Sequence, residues 1–321
     1  MMLSRTRHQR LLEGLTGCHP LAAASDHFSL YRLAPPVGED EWIIVHDFQA
    51  EQIDNDIGHY VAEELLPLLT AHPLVNDPRY TRSEQQLFEA SVGDIVRSMD
   101  NDIRRAWHRF YDNTLTALQP DVWNQAARPK AAPAPFIREF SAIYTHARRL
   151  LNDLPSGSSR PFTMLDVATC FGFFPLFLAQ RRTGPSEYLQ DIVGWDMNPA
   201  LVDLANDYAR HRHCSHIHFE LADIRETGQR TIAFDAVCAI HLLEHLESEH
   251  TAGALDNLWQ LTRQRLIVAV PLEAVPDARF GHRQVFDLQR LHELGRQLHS
   301  PYEVFEDHGG WLVADRPHCQ F

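Results

Sequence analysis

The sequence predicts an α/β fold with a mostly parallel, Rossmann-like sheet in its C-terminal part, and three observations support this. An apolar run ends at Asp166 and is followed by a turn of small residues through Gly172. A second run ends at Asp196, and residues 234–240 form a nearly continuous apolar segment, as buried parallel strands do. In open α/β sheets, an acid in the position of Asp196 binds the two ribose hydroxyls of an adenosine. The sequence therefore predicts a bound adenosine cofactor.

Residues 1–127 contain no cofactor motif and are predicted to form a mainly helical region with one hairpin. The hairpin spans His27 to Phe48, around a turn of two prolines and a glycine at residues 35–38. Helices are predicted over residues 54–69 and 83–118.

Residues 128–135 are rich in proline and alanine, a composition typical of a linker. The second domain is predicted to span residues 136–321, beginning with a helix over 136–151 that packs on the sheet. Its further predicted strands are residues 218–224, residues 266–271, and a hairpin of 302–305 and 311–314 around the glycine turn at 308–310.

Length, charge and cysteine usage narrow the class of protein. The chain has 321 residues, enough for one full α/β domain and a smaller unit. Its formal net charge of −14 disfavours a nucleic-acid partner, because binding a phosphate backbone needs clustered Lys and Arg. The five cysteines are odd in number and form no C-x-x-C pair, as is typical of a reducing cytoplasm. The sequence shows neither a signal peptide nor a membrane-length apolar run, so we expect a cytoplasmic protein without membrane association.

The loop after Asp166 indicates which adenosine cofactor is bound. A dinucleotide fold needs G-x-G-x-x-G, whose glycines let the backbone approach a pyrophosphate. Here the pattern is D-x-A-x-C-x-G, with Ala168 and Cys170 where a glycine-rich loop has glycines. This pattern resembles motif I of the class I S-adenosylmethionine-dependent methyltransferases. The resemblance implies a seven-stranded Rossmann-like sheet whose last strand is antiparallel, with S-adenosylmethionine as the cofactor.

The same resemblance implies which residues contact the cofactor. Asp196 is expected to bind the ribose hydroxyls, Asp223 to bind the adenine amino group, and the loop after Asp166 to hold the methionine end. The predicted cofactor-binding residues are Asp166, Ala168, Cys170, Gly172, Asp196, Met197, Asp223, Ile224 and His241.

A group of metal-capable residues follows the continuous apolar strand. It begins with the H-x-x-E-H segment from His241 to His245 and continues, after the next strand, with Glu273 and His282. Loops that leave the carboxyl ends of neighbouring strands converge. We therefore expect Glu244, His245, Glu273 and His282 to bind a divalent cation, Mg²⁺ or Mn²⁺. The alternative is a polar loop without a metal, in which His282 hydrogen-bonds to the backbone.

The H-x-x-E-H segment has two other interpretations. It is the signature of one class of zinc peptidases, but those enzymes carry it in a helix that follows no cofactor-binding sheet, so the order of elements here disfavours a peptidase. The segment also resembles the E-x-x-E-H metal site of the small-RNA 3′-terminal 2′-O-methyltransferases, where the cation binds two vicinal ribose hydroxyls. His241 replaces the first glutamate of that pattern, which leaves the identity of the metal open.

Methyl transfer from a sulfonium is an in-line displacement at carbon. The protein must therefore align the acceptor oxygen, remove its proton and exclude water. Neutral imidazole accepts a proton near physiological pH, so we predict His241 as the catalytic base and His245 as the second choice. A cation bound to a vicinal diol would lower the pKa of the hydroxyl. A histidine base and a bound cation would both assist the loss of a proton from a hydroxyl, so both favour O-methylation of a polyol.

Five segments carry a closer resemblance. They are residues 170–176, the H-x-x-E-H segment, Pro271-Leu272-Glu273, Phe280-Gly281-His282 and Phe286-Asp287. Together they are similar to the actinobacterial methyltransferases that act on mycofactocin oligosaccharides. The resemblance implies methylation of the 2-hydroxyl of a glucose.

Three functions stay open at this point. The first is a cation-assisted O-methyltransferase for a sugar hydroxyl of an oligosaccharide. The second is a methyltransferase for another small-molecule acceptor or for an RNA 3′-terminal 2′-hydroxyl, which the net charge disfavours. The third is a cofactor-binding regulatory protein without catalysis, which would be favoured if the histidines and glutamates did not converge. The N-terminal region is expected to supply acceptor recognition, a homodimer interface, or both.

Overall fold

The computed structural model describes most of the chain and divides it into two compact units. The first unit contains Met1–Arg138 together with Ala278–Phe280, and the second contains Glu139–Asp277 and Gly281–Phe321. Residues 128–134 of the predicted linker lie outside the described part. The described residues are 2–4, 21–33, 41–71, 83–119, 135–154, 162–180, 189–226 and 234–317.

The first unit contains a four-stranded sheet with the strand order β1-β4-β3-β2. Its strands are β1 (Met2–Ser4), β2 (Leu21–Ala24), β3 (Phe28–Leu33) and β4 (Glu41–His46). β3 and β4 pair in antiparallel fashion and correspond to the predicted hairpin, whose turn lies outside the described residues. The sheet is larger than that hairpin because β1 adds to β4 and β2 adds to β3.

The helices of the first unit follow this sheet. They are α1 (Ile57–Tyr60), which continues through a π-helical segment (Val61–Leu65) into α2 (Leu66–Ala71), then α3 (Glu84–Ser98) and α4 (Ile103–Ala117). The single helix expected over residues 83–118 is thus two helices. The reason is Asp102, whose side chain accepts hydrogen bonds from the N–H groups of Arg104 and Arg105. A capping acid of this kind starts a new helix rather than continuing the old one.

The second unit contains a seven-stranded sheet with the strand order β10-β11-β9-β8-β5-β6-β7. Its strands are β5 (Phe162–Val167), β6 (Leu189–Asp196), β7 (Ile217–Leu221), β8 (Phe234–Ile240), β9 (Thr262–Val270), β10 (Tyr302–Glu306) and β11 (Gly310–Asp315). β5 to β9 pair in parallel, whereas β11 is antiparallel to both of its neighbours. This topology confirms the predicted fold class, including the antiparallel last strand.

In the described part of this unit, five α-helices connect and flank the strands. They are α5 (Pro135–Asn152), α6 (Phe173–Gln180), α7 (Pro199–His211), α8 (Ser248–Gln260) and α9 (Leu288–Gln297). Side-chain caps start two of them, since Asn198 accepts from the N–H of Ala200 and Asp287 accepts from the N–H of Arg290. Among the helices of the described ranges, none is long and apolar enough to cross a membrane.

The centre of the sheet is the core of the second unit. All seven residues of β8 are buried, and so are eight of the nine residues of β9. Burial of apolar side chains contributes about 25 cal/mol per Å², so these strands are the most strongly held part of the unit. Their carboxyl ends, which carry the candidate site, are therefore fixed in position.

The ring of Phe219 fills the space that two glycines leave open beside the cofactor-binding edge. A Cβ atom added at Gly194 of β6, or at Gly172 after β5, would overlap this ring. Phe219 lies on β7 and is 4% exposed, so the ring cannot move into solvent. The absence of side chains at both glycines is thus a packing requirement.

We expect Gly194→Ala to lower the free energy of unfolding by about 1–3 kcal/mol, because overpacking forces strained side-chain positions. Phe219→Leu in the same chain should recover part of that loss, since the smaller side chain makes room for the added methyl. Urea denaturation of the two single variants and the double variant measures the coupling between the sites. Strictly additive losses would contradict this packing.

Candidate active site

The loop from Ala168 to Gly172, hereafter the cofactor loop, leaves β5 in a left-handed backbone conformation. Ala168, Cys170 and Gly172 have φ values of 59°, 52° and 72°. Glycine adopts this conformation easily, whereas a residue with a side chain pays on the order of 1 kcal/mol or more. Such outliers cluster at ligand-binding sites. The loop therefore has the turn of a glycine-rich cofactor loop although two of its three key residues are not glycine.

Asp166 lies near the end of β5 and is buried. Its carboxylate accepts a hydrogen bond from the Thr169 hydroxyl, with an oxygen–oxygen distance of 2.6 Å. Burial raises the pKa of Asp166 to about 7, and Asp196 adds to this shift, while the Thr169 hydrogen bond opposes it. A buried carboxyl with one hydrogen bond and an acidic neighbour favours a cationic ligand group.

Asp196 ends β6 and joins the cofactor loop to the next strand. One carboxylate oxygen accepts from the Cys170 N–H at 2.8 Å, and the other accepts from the Asn198 N–H at 2.9 Å. Burial raises the pKa of Asp196, and these backbone hydrogen bonds lower it. The structure thus brings Asp196 against the cofactor loop, at the edge where the ribose is expected.

The other predicted cofactor residues follow β6 and β7. Met197 is 65% exposed, a large fraction for an apolar side chain next to a predicted ligand site. Asp223 follows β7, and its carboxylate is paired with the guanidinium of Arg225, whose Nε lies 3.0 Å from both oxygens. Ile224 is buried in the hydrophobic core with Trp195, so its side chain is mainly a packing residue.

His241 follows β8 and also has a left-handed backbone, with φ of 57°. Its N–H donates to the carbonyl of Ala269 on β9 at 2.9 Å, and its ring packs on Phe140 of α5 with ring centroids 5.5 Å apart. Burial lowers the pKa of His241 to about 3, with further contributions from His245 and His282. The imidazole is therefore neutral at physiological pH, and one ring nitrogen has a free lone pair for a proton.

Glu244, His245 and His282 form a compact group, hereafter the His–Glu cluster. One ligand atom from each residue lies within 4.8 Å of the others. Neither carboxylate oxygen of Glu244 accepts a hydrogen bond from the described residues, although His241 Nδ1 lies 3.4 Å from Oε1. Burial raises the pKa of Glu244 to about 8 and lowers the pKa of His245 to about 4. A buried carboxyl group and two imidazoles are thus gathered, and neither carboxyl oxygen has a hydrogen-bond donor among the described residues.

Backbone and side-chain hydrogen bonds connect the two loops that carry this cluster. The N–H of Arg283 donates to the carbonyl of Glu244 at 2.8 Å. The side-chain amide of Gln284 donates to the carbonyl of Leu243 at 2.6 Å and to the hydroxyl of Thr251 at 2.8 Å. The loops after β8 and β9 therefore hold each other in place, and the cluster does not depend on a ligand for its shape.

Glu273 is near this cluster but contacts it differently from the other predicted ligands. Its carboxylate lies 2.8 Å from Nδ1 of His282. A carboxylate in that position orients the imidazole ring. Glu244 and His245 lie in a one-turn 3₁₀ helix (Leu243–His245), which precedes the start of α8 at Ser248.

The His–Glu cluster fits a divalent cation. The fit rests on the orphaned Glu244 carboxyl group, because a buried polar group without hydrogen bonds is costly and a cation would both pair with it and favour its ionised form. Two imidazoles with one carboxylate suit a cation of intermediate hardness, whereas Mg²⁺ prefers oxygen ligands throughout. With Glu273 directed at His282, the set favours Mn²⁺ over Mg²⁺ among the two expected metals.

Sequence reasoning missed two residues beside the site. Thr169 supplies the hydrogen bond to Asp166, and no motif rule singles it out. Tyr144 lies in α5, the helix that was predicted to pack on the sheet. Its ring packs on Phe174 with centroids 5.2 Å apart, and burial raises the pKa of Tyr144 well above its ordinary value, with smaller contributions from Asp166 and Cys170. In the sequence, Tyr144 lies one helical turn after Phe140, so both rings are on the same face of α5. This spacing is the signal that could have identified Tyr144.

The solved structures most like this fold include several methyltransferases. An O-methyltransferase family protein from Burkholderia thailandensis is 12% identical and covers 83% of this chain and 94% of its own, with a TM-score of 0.47. The N-methyltransferase NodS from Bradyrhizobium japonicum WM9 is 21% identical and covers 65% and 98%, with a TM-score of 0.41. The methyltransferase domain of bacterial CtHen1-CN is 14% identical and covers 56% and 100%, with a TM-score of 0.45.

The family comparison is more specific than these structural likenesses. No curated protein matches the chain in sequence. Residues 164–265, however, match the family model described as a methyltransferase domain. That segment runs from β5 to β9 and contains the cofactor loop, Asp196 and His241. This match identifies a methyltransferase domain within the second unit, and the strand order is that of a class I methyltransferase fold.

Proposed function

We propose that this protein is an O-methyltransferase that transfers the methyl group to a sugar hydroxyl with the help of a divalent cation. The observation that carries the proposal is the His–Glu cluster, which lies at the end of β8, directly beside the strand that supplies the cofactor loop. A cation held there would bind two vicinal hydroxyls of a sugar. Oxygen acceptors of high pKa need such help, whereas amine acceptors do not.

The acceptor that we propose is the 2-hydroxyl of a glucose in a mycofactocin-type oligosaccharide. Support for this finer assignment comes from the resemblance of five sequence segments, which include the cofactor loop and both parts of the metal-binding region. The pair of neighbouring hydroxyls on a glucose ring also matches the chemistry of the proposed cation site. The net charge of −14 agrees with a neutral acceptor rather than a polyanionic one.

Each residue of the site has a proposed task. Asp196 would bind the ribose hydroxyls, Asp223 the adenine amino group, and Asp166 the ammonium group at the methionine end. When bound, S-adenosylmethionine supplies an electrophilic methyl group. His241 would accept the proton of the acceptor hydroxyl, because it directly follows β8, beside the strand that supplies the cofactor loop. Burial keeps this ring neutral but also weakens it as a base, with a pKa of about 3. His245 is the alternative base if it does not bind the metal.

The metal would be held by Glu244, His245 and Nε2 of His282, and Glu273 would orient His282 through Nδ1. When bound, a divalent cation supplies Lewis acidity that lowers the pKa of a coordinated hydroxyl. The chain itself fixes the positions of the two loops and excludes water from the buried Glu244. An RNA 3′-terminal 2′-hydroxyl is a second candidate acceptor, since it too is part of a vicinal diol.

Turnover on a panel of acceptors tests the proposed function. The panel contains glucosides, short glucans, other vicinal diols and RNA with a free 3′ end, each with chelator or with added Mg²⁺ or Mn²⁺. We expect methyl transfer to a glucose hydroxyl, loss of transfer with chelator, and recovery with Mn²⁺. Transfer to a glucose that continues in chelator would remove the cation from the mechanism, and transfer only to RNA or to amines would overturn the sugar assignment.

Variants connect that result to the His–Glu cluster. His282→Ala should weaken Mn²⁺ binding by at least about tenfold in calorimetry, because one of three ligands is lost. His292→Ala on α9 is the matched control, since this histidine is exposed and lies outside the cluster. Equal Mn²⁺ affinity in both variants would contradict the site.

Asp196→Asn should weaken S-adenosylmethionine binding by about ten- to a hundredfold, since hydrogen bonds to a charged acceptor contribute about 1.5–3 kcal/mol. Calorimetric titration measures this change. Asp191→Asn on the same strand is the control, because Asp191 is exposed. Unchanged affinity in Asp196→Asn would exclude the ribose-binding role.

Asp166 gives the stability of the folded protein a pH dependence. Its pKa is about 7 in the folded state and about 4 in an unfolded chain. The folded state therefore binds the extra proton, and the stability that this supplies is fully present below about pH 4 and is lost as pH rises through 7. Relative to Asp166→Asn, the wild-type free energy of unfolding should fall by on the order of 2 kcal/mol between about pH 5 and pH 8. Parallel pH profiles from urea denaturation would contradict the shifted pKa.

A further inference from the structure

Gln284 lies in the loop between β9 and α9, and it is 5% exposed. Its side-chain nitrogen donates to the carbonyl of Leu243 at 2.6 Å and to the carbonyl of Leu246 at 2.9 Å. Along the chain, these two carbonyls lie immediately before and after Glu244 and His245. One buried amide group therefore holds both ends of the segment that carries two members of the His–Glu cluster.

The oxygen end of the same amide contacts donors. It accepts from the hydroxyl of Ser248 at 3.1 Å and from Nη2 of Arg290. Arg290 is itself held in place, since its Nη1 donates to the carbonyl of Val285 at 2.8 Å and its guanidinium lies over the ring of Phe286. A backbone carbonyl only accepts and a guanidinium only donates, so the two ends of the amide cannot be exchanged. The surroundings of Gln284 thus require a glutamine in one orientation.

The third member of the cluster is connected to Gln284 through the backbone. His282 lies two residues before Gln284, and the N–H of Arg283 between them donates to the carbonyl of Glu244 at 2.8 Å. A displacement of Gln284 would therefore shift His282 relative to Glu244. The ligand atoms of the cluster lie within 4.8 Å of one another, so their spacing depends on this one side chain.

We propose that Gln284 is a positioning residue that fixes Glu244, His245 and His282 in the arrangement that binds the divalent cation. The inference rests on the proposed function, which assigns these three residues to a cation. A cation site needs its ligand atoms held within about 0.5 Å of the binding geometry. Groups that orient metal ligands without touching the metal typically change its affinity by about ten- to a hundredfold. Gln284 acts on all three ligands at once, so its loss should have an effect in this range.

Calorimetric titration with Mn²⁺ of Gln284→Met and Gln264→Met tests this proposal. Gln264 also carries a buried amide, which donates to Asp235 at 2.8 Å, but it lies near the amino end of β9, whereas the cluster follows the carboxyl ends of β8 and β9. Both variants lose a buried hydrogen-bonded amide and should unfold at lower urea concentration. Only Gln284→Met should weaken Mn²⁺ binding, by about ten- to a hundredfold, with wild-type affinity for S-adenosylmethionine.

Amide hydrogen exchange tests the positioning role in protein without metal. The N–H of Arg283, which donates to Glu244, should exchange at least about tenfold faster in Gln284→Met, relative to the slowest amides of the same variant. In Gln264→Met this relative rate should be that of the wild type. Arg290→Leu is a milder variant, because it keeps Gln284 and removes a donor to its oxygen. It should weaken Mn²⁺ binding by about threefold, as expected for the loss of one hydrogen bond.

Two outcomes would overturn the proposal. One is an equal loss of Mn²⁺ affinity in Gln284→Met and Gln264→Met, which would mean that the amide serves general stability alone. The other is wild-type Mn²⁺ affinity in Gln284→Met. If the wild-type protein binds no Mn²⁺, the proposed cation site itself is wrong, and the exchange rate of Arg283 still decides whether Gln284 fixes the cluster.

Discussion

The site depends on the left-handed backbone at the ends of the two central strands. β5 and β8 are neighbours, with Asp166 opposite Cys238, and each strand continues into a residue with positive φ that is not glycine. Ala168 and Cys170 turn the cofactor loop over the sheet edge, and His241 does the same on the other strand. Each such residue costs on the order of 1–3 kcal/mol, which the burial of the central strands offsets. The loops meet at one point only because both turns are this sharp.

The buried carboxylate of Glu244 is a second cost that stability alone does not explain. Removing a charge from water without hydrogen bonds is unfavourable, and burial raises the pKa of this group to about 8. Nevertheless, hydrogen bonds to the carbonyls of Leu243 and Glu244 hold the segment rigidly in place. A buried carboxyl group without hydrogen bonds, held between two imidazoles, is the feature on which the proposed cation site depends. Buried polar groups without hydrogen bonds lower stability, and they are expected mainly at functional sites.

The sequence was sufficient to predict where the central strands lie along the chain. Buried parallel strands are nearly continuous apolar runs, and Asp166 and Asp196 mark the ends of two of them. It could not predict the backbone torsions of Ala168, Cys170 and His241, since residues with side chains rarely adopt them. The role of Glu273 was equally hidden, because only the folded loop decides whether its carboxylate faces a metal or Nδ1 of His282. Helical spacing gave Phe140 and Tyr144 the signature of core residues, and partial exposure is a tertiary property that spacing does not encode.

The proposed site residues fall into two groups according to the strands that they follow. The residues that we propose for the cofactor follow β5, β6 and β7, whereas those that we propose for the acceptor follow β8 and β9. His241 is the point where the halves join. Its N–H pairs with Ala269 of β9, its ring contacts Phe140, and its Nδ1 faces Glu244 at 3.4 Å. A shift of this one residue would therefore change its pairing with β9, its ring contact with Phe140 and its approach to Glu244 together. A relaxed turn at His241 would separate these three contacts, so the arrangement of the proposed site depends on the strained backbone there.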